Sequence, residues 1–245
     1  MPDAVGRADR IEVDLCAAGD PARAEQEQRY LKSELHHYGV SVPAIRKIVK
    51  AALASGPALS HDDLVAVVVA LWRRPVHECR MAAVELLDLC SDRLVAADID
   101  LVERMIRQSR TWALVDGLAA TVTGGLVERY PSLSTTLDRW AADDDFWVRR
   151  SSLLALLLPL RRGEGDFERF SRYADAMLAE REFFIRKAIG WVLREASKKQ
   201  PDRVYASLER RAGRASGVTV REAVKYLSDA QRDTILAAYR ASCHA

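Results

Sequence analysis

Apolar residues in this chain recur on a helical rhythm, and the rhythm itself repeats. CRMAAVELL (79–87), RRSSLLALL (149–157), IRKAIGWVL (185–193) and VREAVKYL (220–227) share one frame. Each carries an arginine (Arg80, Arg150, Arg186, Arg221) and a small residue two places on (Ala82, Ser152, Ala188, Ala223). An apolar or small residue stands at plus three (Ala83, Leu153, Ile189, Val224) and an apolar one at plus six (Leu86, Leu156, Val192, Leu227). That spacing follows a helix face, not the period of two that marks a strand. A weaker copy, IRKIVKAAL (45–53), carries Arg46. The gap from Arg80 to Arg150 is two periods, and VDGLAATV (115–122) fills it. There Leu118, Ala119 and Val122 hold the plus two, three and six positions, and Asp116 stands where the other copies have arginine. The phases 46, 80, 116, 150, 186 and 221 step by 35 residues on average.

A second helical stretch precedes each later phase: Asp62–Trp72, Asp98–Gln108, Ser132–Ala141, Asp166–Ala179 and Pro201–Arg211. Breaks fall at Gly56-Pro57, Arg74-Pro75, Pro131, Gly163–Gly165 and Gly213–Gly217, where glycine and proline interrupt helices. Two helices per unit of this length are the mark of HEAT-like repeats. The fold expected is all-α: a right-handed superhelical solenoid of about six such repeats. It is expected to run through 1–245 as one domain, with less order in the first 20 residues or so. The concave face of a solenoid is its usual binding surface. The repeated arginine has a structural reading, bonding to the preceding turn, and this is the stronger one for Arg80 and Arg221.

Composition changes the picture in one respect. With 49% apolar and 29% charged residues the chain has material for a core, which excludes a mainly disordered protein. The formal charge of +2 conceals an uneven layout. Residues 1–120 hold 15 basic and 18 acidic side chains, whereas residues 121–245 hold 22 and 17. Of the basic residues, 30 are Arg and 7 are Lys. A basic half points to a polyanionic partner. Cys16, Cys79, Cys90 and Cys243 are scattered without metal-finger spacing, and those within helical patterns read as buried thiols. MPDAVGRADRIEVDL has no apolar run of signal-peptide type, and Leu153–Leu160 is too short to span a bilayer. No membrane association and a cytoplasmic setting are expected.

The chemistry gathers where the frame breaks. Trp112 precedes Asp116 by four residues, so an indole and a carboxylate share a helix face. The next phased helix brings Trp147, Arg149 and Arg150, and the one after it Arg186, Lys187, Trp191 and Arg194. Arginines hold phosphates, and flat aromatic faces pack on sugars, bases or cations. The plainer readings stand beside these: a tryptophan on an amphipathic helix is more often core, as Trp72 and Trp140 are read, and Asp116 fits a helix-pairing role equally well. His36-His37 reads as a solvated helix end. Phase and spacing alone lead to a helical-repeat binder.

A resemblance goes further. QRYLKSELHHYGVSVPAIRKI (28–48), RTWALVDGLAATVTGGLVERYP (110–131), DFWVRRSSLLALL (145–157) and FFIRKAIGWVLREASKKQPDRVYASL (183–208) resemble the AlkD-type DNA alkylation-repair glycosylases, in order, over about residues 20–230. The resemblance implies HEAT-like repeats, double-stranded DNA bearing N3- or N7-alkylated purines as substrate, and an abasic product. It places the catalytic acid on Asp116, with Trp112 and Trp191 packing on the sugar. It places DNA contacts on Arg150, Arg194 and Tyr30 of the Arg29-Tyr30 pair. Trp147, Arg149 and Lys187 are read with them. A Gln-Thr pair seen in some members is Ser41-Val42 here, so the loop's contact falls to Ser41 in altered form. No metal or cofactor is expected, and a monomer is. The resemblance also implies that the lesion need not be flipped from the stack. The competing class is a helical-repeat scaffold that binds DNA or protein without catalysis.

Overall fold

The computed structural model describes residues 2–242, and the phased segments lie mainly on helices, with a turn at 155–156 interrupting 149–157 and Leu227 lying past the last helical turn of 220–227. Packing divides the chain into two compact units, 1–118 and 119–245. The first holds α1 (Pro2–Ala17), α2 (Pro21–Leu31), α3 (Val42–Ala54), α4 (His61–Trp72), α5 (His77–Leu89), α6 (Ile99–Ser109) and α7 (Trp112–Gly117). The second holds α8 (Gly124–Arg129), α9 (Ser134–Trp140), α10 (Phe146–Leu154), α11 (Leu157–Arg162), α12 (Phe167–Met177), α13 (Phe183–Ser197), α14 (Pro201–Glu209), α15 (Gly217–Ala223) and α16 (Asp229–Ser242). No strand occurs among the described residues; one isolated bridge joins His36 to Val76. The fold is all-α and of the helical-repeat type.

The repeat frame is the inward face. At plus two, Ala82, Leu118, Ser152, Ala188 and Ala223 have no exposed surface, and the plus-three and plus-six residues are buried with them. Small side chains there let neighbouring helices approach. The same closeness acts at Gly190, where a Cβ would lie 2.9 Å from the Thr219 carbonyl oxygen, so α15 sits hard against α13. Helices α4, α6, α9, α12 and α14 occupy the five stretches read as partners of the phased helices, α4 beginning one residue earlier and α6 ending one residue later. Ser60, Asp145, Asp166 and Ser216 cap α4, α10, α12 and α15 by accepting backbone N–H groups.

The phased arginines serve this packing. Arg46 on α3 pairs with Glu85 and Asp88 on α5, each at 2.9 Å. Arg80 Nη1 donates to the Gln108 carbonyl at 3.1 Å, with its guanidinium over the Trp72 ring. Arg186 Nε donates to the Glu180 carbonyl at 2.7 Å.

Helix α1 buries Ala4, Ala8, Ile11 and Leu15. They recur at three and four places, the spacing of a core-facing stripe. The apolar run Leu153–Leu160 is not one helix: α10 ends at Leu154 and α11 starts at Leu157. Pro159 has no N–H to offer the Ala155 carbonyl, and the helix breaks there. Of the cysteines, Cys79 and Cys90 are buried, Cys16 is exposed, and Cys243 lies outside the described residues. No helix among the described residues is long and apolar enough to cross a membrane.

Candidate nucleic-acid interface and catalytic residues

In the first unit, α7 is short and two-faced. Leu114 and Val115 are fully buried, while Trp112 and Asp116, one turn apart, remain half-buried. From Leu118 to Thr123 the backbone then widens into a π-helical turn. Such wide turns re-aim side chains and are frequent at functional sites. Tyr30 on α2 is 72% exposed and meets Trp112 edge to face, ring centroids 6.1 Å apart. The unit thus brings together Tyr30 and Trp112, with Asp116 on the same helix as the indole. Ser41 stands at the start of α3, half-buried, and its hydroxyl caps no helix N–H.

A cleft lies beside this group. It has a volume of about 490 Å³ and is lined in part by Lys32, Arg80, Arg107, Arg110 and Thr111, the residue before Trp112. Lys32 and Arg110 end α2 and α6 in the left-handed region, at φ 50° and 49°. Two non-glycine residues in that region carry backbone strain, which a fold tolerates only where its surroundings enforce it.

In the second unit the predicted residues separate into two groups. Trp147 is buried and packs on Phe146 and Phe184, with ring centroids at 4.5 and 4.8 Å. Arg149 is held by Glu180 at 2.7 Å and by the carbonyls of Asp143 and Asp144. Arg150, read as a phosphate grip, is turned inward: it is 2% exposed, donates to the Phe184 carbonyl and lies against that ring. These three contribute to the packing of α10 on α13.

Lys187, Trp191 and Arg194 form the other group, at successive turns of α13 and partly exposed. Lys187 Nζ bonds Glu222 at 2.7 Å, Arg194 pairs with both Glu222 and Glu195, and Lys225 reaches Glu222 at 3.0 Å. Lys198 and Arg161 reach Glu195 at 2.7 and 3.3 Å. Five cations therefore surround two buried acids. Burial alone would raise the Glu222 carboxyl, but bonds from Lys187 and Lys225 and the charge of Arg194 outweigh it and hold it low. Glu195 is held low in the same way, by Lys198 and Arg194 against burial. Both acids stay ionised and fix the cations above them, leaving a positive surface around Trp191.

Arg150→Ala is expected to lower the melting temperature, because the Phe184 carbonyl loses its donor. The slope of log affinity for duplex DNA against log salt is expected to stay unchanged, whereas Lys187→Ala reduces it by about 1. Fluorescence anisotropy across a salt series checks both, and a flatter slope in Arg150→Ala would return that residue to the DNA.

These features define an all-α helical-repeat protein with an acid–indole pair at one repeat and a cationic helix face in its second unit. The model of the DNA alkylation repair enzyme family matches residues 11–227, and the chain belongs to that family, whose role is the repair of alkylated DNA. The structure is similar to that of a predicted DNA alkylation repair enzyme from Enterococcus faecalis (24% identity, 86% of this chain and 97% of the other, TM-score 0.75). It is also similar to AlkD2 from Streptococcus mutans (17% identity, 84% and 99%, TM-score 0.58). These likenesses concern the fold. No curated protein matches the chain in sequence.

Proposed function

We propose that this chain is a monofunctional DNA glycosylase that hydrolyses the N-glycosidic bond of cationic N3- or N7-alkylated purines in duplex DNA. The observation that carries the reading is the placement of Asp116 one turn from Trp112, with Tyr30 against the indole, in a member of the alkylation repair family.

The chemistry asks little of the protein. A purine alkylated at N3 or N7 is already cationic and leaves with the pair of electrons of the C1′–N bond, becoming neutral. Positive charge grows on the deoxyribose, as in other glycoside hydrolyses. The Asp116 carboxylate stabilises that charge, orients a water toward C1′ and accepts its proton as the C1′–O bond forms. The indole face of Trp112 favours a cationic sugar. No acid is needed for the leaving base, and the reaction needs neither metal nor cofactor. Lys187, Arg194 and their neighbours supply sequence-independent attraction to phosphates. The enzyme acts as a monomer in the cytoplasm.

Methylated plasmid DNA and substoichiometric protein test the reading. N7-methylguanine or N3-methyladenine is expected in the supernatant over several turnovers, with matching alkali-labile sites in the plasmid. Tight binding without base release would establish the non-catalytic scaffold instead.

A further inference from the structure

A second cluster of ionisable side chains lies in the first unit, away from Asp116 in sequence, where His36-His37 was expected to be a solvated helix end. His37 is only 5% exposed and stacks on His77, 6% exposed, with ring centroids 4.5 Å apart and planes within 7°. Neither ring nitrogen of His37, nor Nδ1 of His77, has a hydrogen-bond partner among the described residues. A buried polar atom without a partner costs roughly 1–3 kcal/mol, so each calls for a water or an ion to complete it. Three such nitrogens in one stacked pair are a concentrated demand.

Two carboxylates face the same space. One ligand atom each from Glu27, His37 and Glu78 lie within 4.8 Å of one another. Glu78 is fully buried at the start of α5 and anchors the loop before α3. Its Oε1 accepts the N–H groups of Gly39 at 2.7 Å and Val40 at 3.2 Å, and Oε2 that of Tyr38 at 2.9 Å. The loop can pass so close because residue 39 is glycine. It sits at φ 81°, and a Cβ there would lie 2.1 Å from the Asp20 carbonyl oxygen. A carboxylate oxygen has two acceptor positions, so these bonds leave Glu78 capacity for a further partner. Glu27, one turn before Tyr30 on α2, is bonded by the half-exposed Arg23 at 2.5 Å. It also lines a surface cavity with Arg23, Gln26 and Tyr30, which gives the cluster a route to solvent.

We propose that Glu27, His37 and Glu78 bind one divalent transition-metal ion of the zinc class. Imidazole nitrogen with carboxylate oxygen suits zinc, cobalt and related borderline ions. A neutral imidazole ligates through the lone pair of its unprotonated nitrogen. Bond lengths of about 2.0–2.2 Å require the three groups to draw closer than they stand. Glu27, on a helix surface, is the one placed to move, exchanging Arg23 for the ion. The stacked His77 fixes the plane of the His37 ring. A bound ion would tie α2 and the 36–40 loop to α5, and so steady the helix that carries Tyr30 to Trp112. The site's existence does not rest on the glycosylase reading.

Calorimetric titration of the full chain with zinc chloride, and visible absorption with cobalt chloride, test it without an activity assay. One equivalent is expected to bind, with a cobalt spectrum of nitrogen and oxygen ligation and a raised melting temperature. Glu27→Gln and His37→Gln are each expected to weaken binding by at least about tenfold. Glu27 is on the rim, so Glu27→Gln is also expected to keep the circular dichroism and metal-free melting temperature of the wild type, and a loss of binding there reports the ligand. Absence of binding by either ion, or one-equivalent binding that survives both substitutions, overturns the site and leaves the buried imidazoles to water.

Discussion

Asp116→Asn is expected to bind undamaged duplex DNA like the wild type and to release N7-methylguanine at a rate lower by about 10²–10³-fold or more. The change is nearly isosteric, and α7 keeps its packing because Leu114 and Val115, not Asp116, are its buried residues. The shape of the side chain is kept and its negative charge is lost. A carboxylate acting on a developing sugar cation works through that charge, and removing a comparable electrostatic contact from an active site costs about 10²–10³ in rate. DNA affinity comes from cations meeting phosphates, so it should be retained or slightly raised when one negative charge goes. Single-turnover base release and anisotropy on the same preparations separate the two effects. Near-normal release by the variant would remove Asp116 from the chemistry and leave it the helix-pairing role its phase also permits. Equal losses of release and binding would instead point to a distorted α7.

Much of the fold was legible because packing imposes one requirement at regular intervals. Ala82, Ser152, Ala188 and Ala223 are small because helices meet there, and their spacing along the chain is the period of the repeat. Asp116 was legible as the exception to that rule. What escaped notice involved partners distant in sequence. Trp147, Arg149 and Arg150 have the composition of a nucleic-acid contact, yet Phe184 and Glu180, more than 30 residues on, draw them into the packing. His37 resembled a polar helix end because nothing in its neighbourhood announces His77 or Glu78, 40 residues away. The π-helical turn after Asp116 left no pattern either, since LAATVT is as compatible with an α-helix. The positive second half was visible as a sum, but the sum hid its organisation. The cations on and around α13 are not free charges spread over a surface; they are drawn together by two acids that the net charge counts against them.

That arrangement makes Glu222 the residue whose loss should most disturb the second unit. Glu222 is 5% exposed and holds Lys187, Arg194 and Lys225 at one point on α15. Glu222→Ala leaves Lys187, Arg194 and Lys225 converging without the carboxylate they share. Breaking a buried pair costs about 3–5 kcal/mol, and the partial exposure of the cations puts the expected loss near the lower end. Urea unfolding at pH 7 measures it. The pH dependence identifies its origin. The carboxyl pKa is lower in the folded chain than its ordinary value of 4.5. The stabilisation from its charge is thus complete above the unfolded pKa and disappears as pH falls through the folded one. The stability gap between wild type and variant should be constant from pH 7 to about 5.5, then narrow on further acidification. High salt should narrow it as well, because the cations are half in solvent. DNA binding by folded Glu222→Ala should keep its salt dependence, or gain a steeper one, since the cationic face has lost an internal negative charge. A gap that holds its size through acid and salt would assign Glu222 to packing beneath Gly190, where its Cβ lies 2.7 Å from the place a glycine Cβ would occupy. The ion cluster would then be a consequence of the helix contact, not its cause.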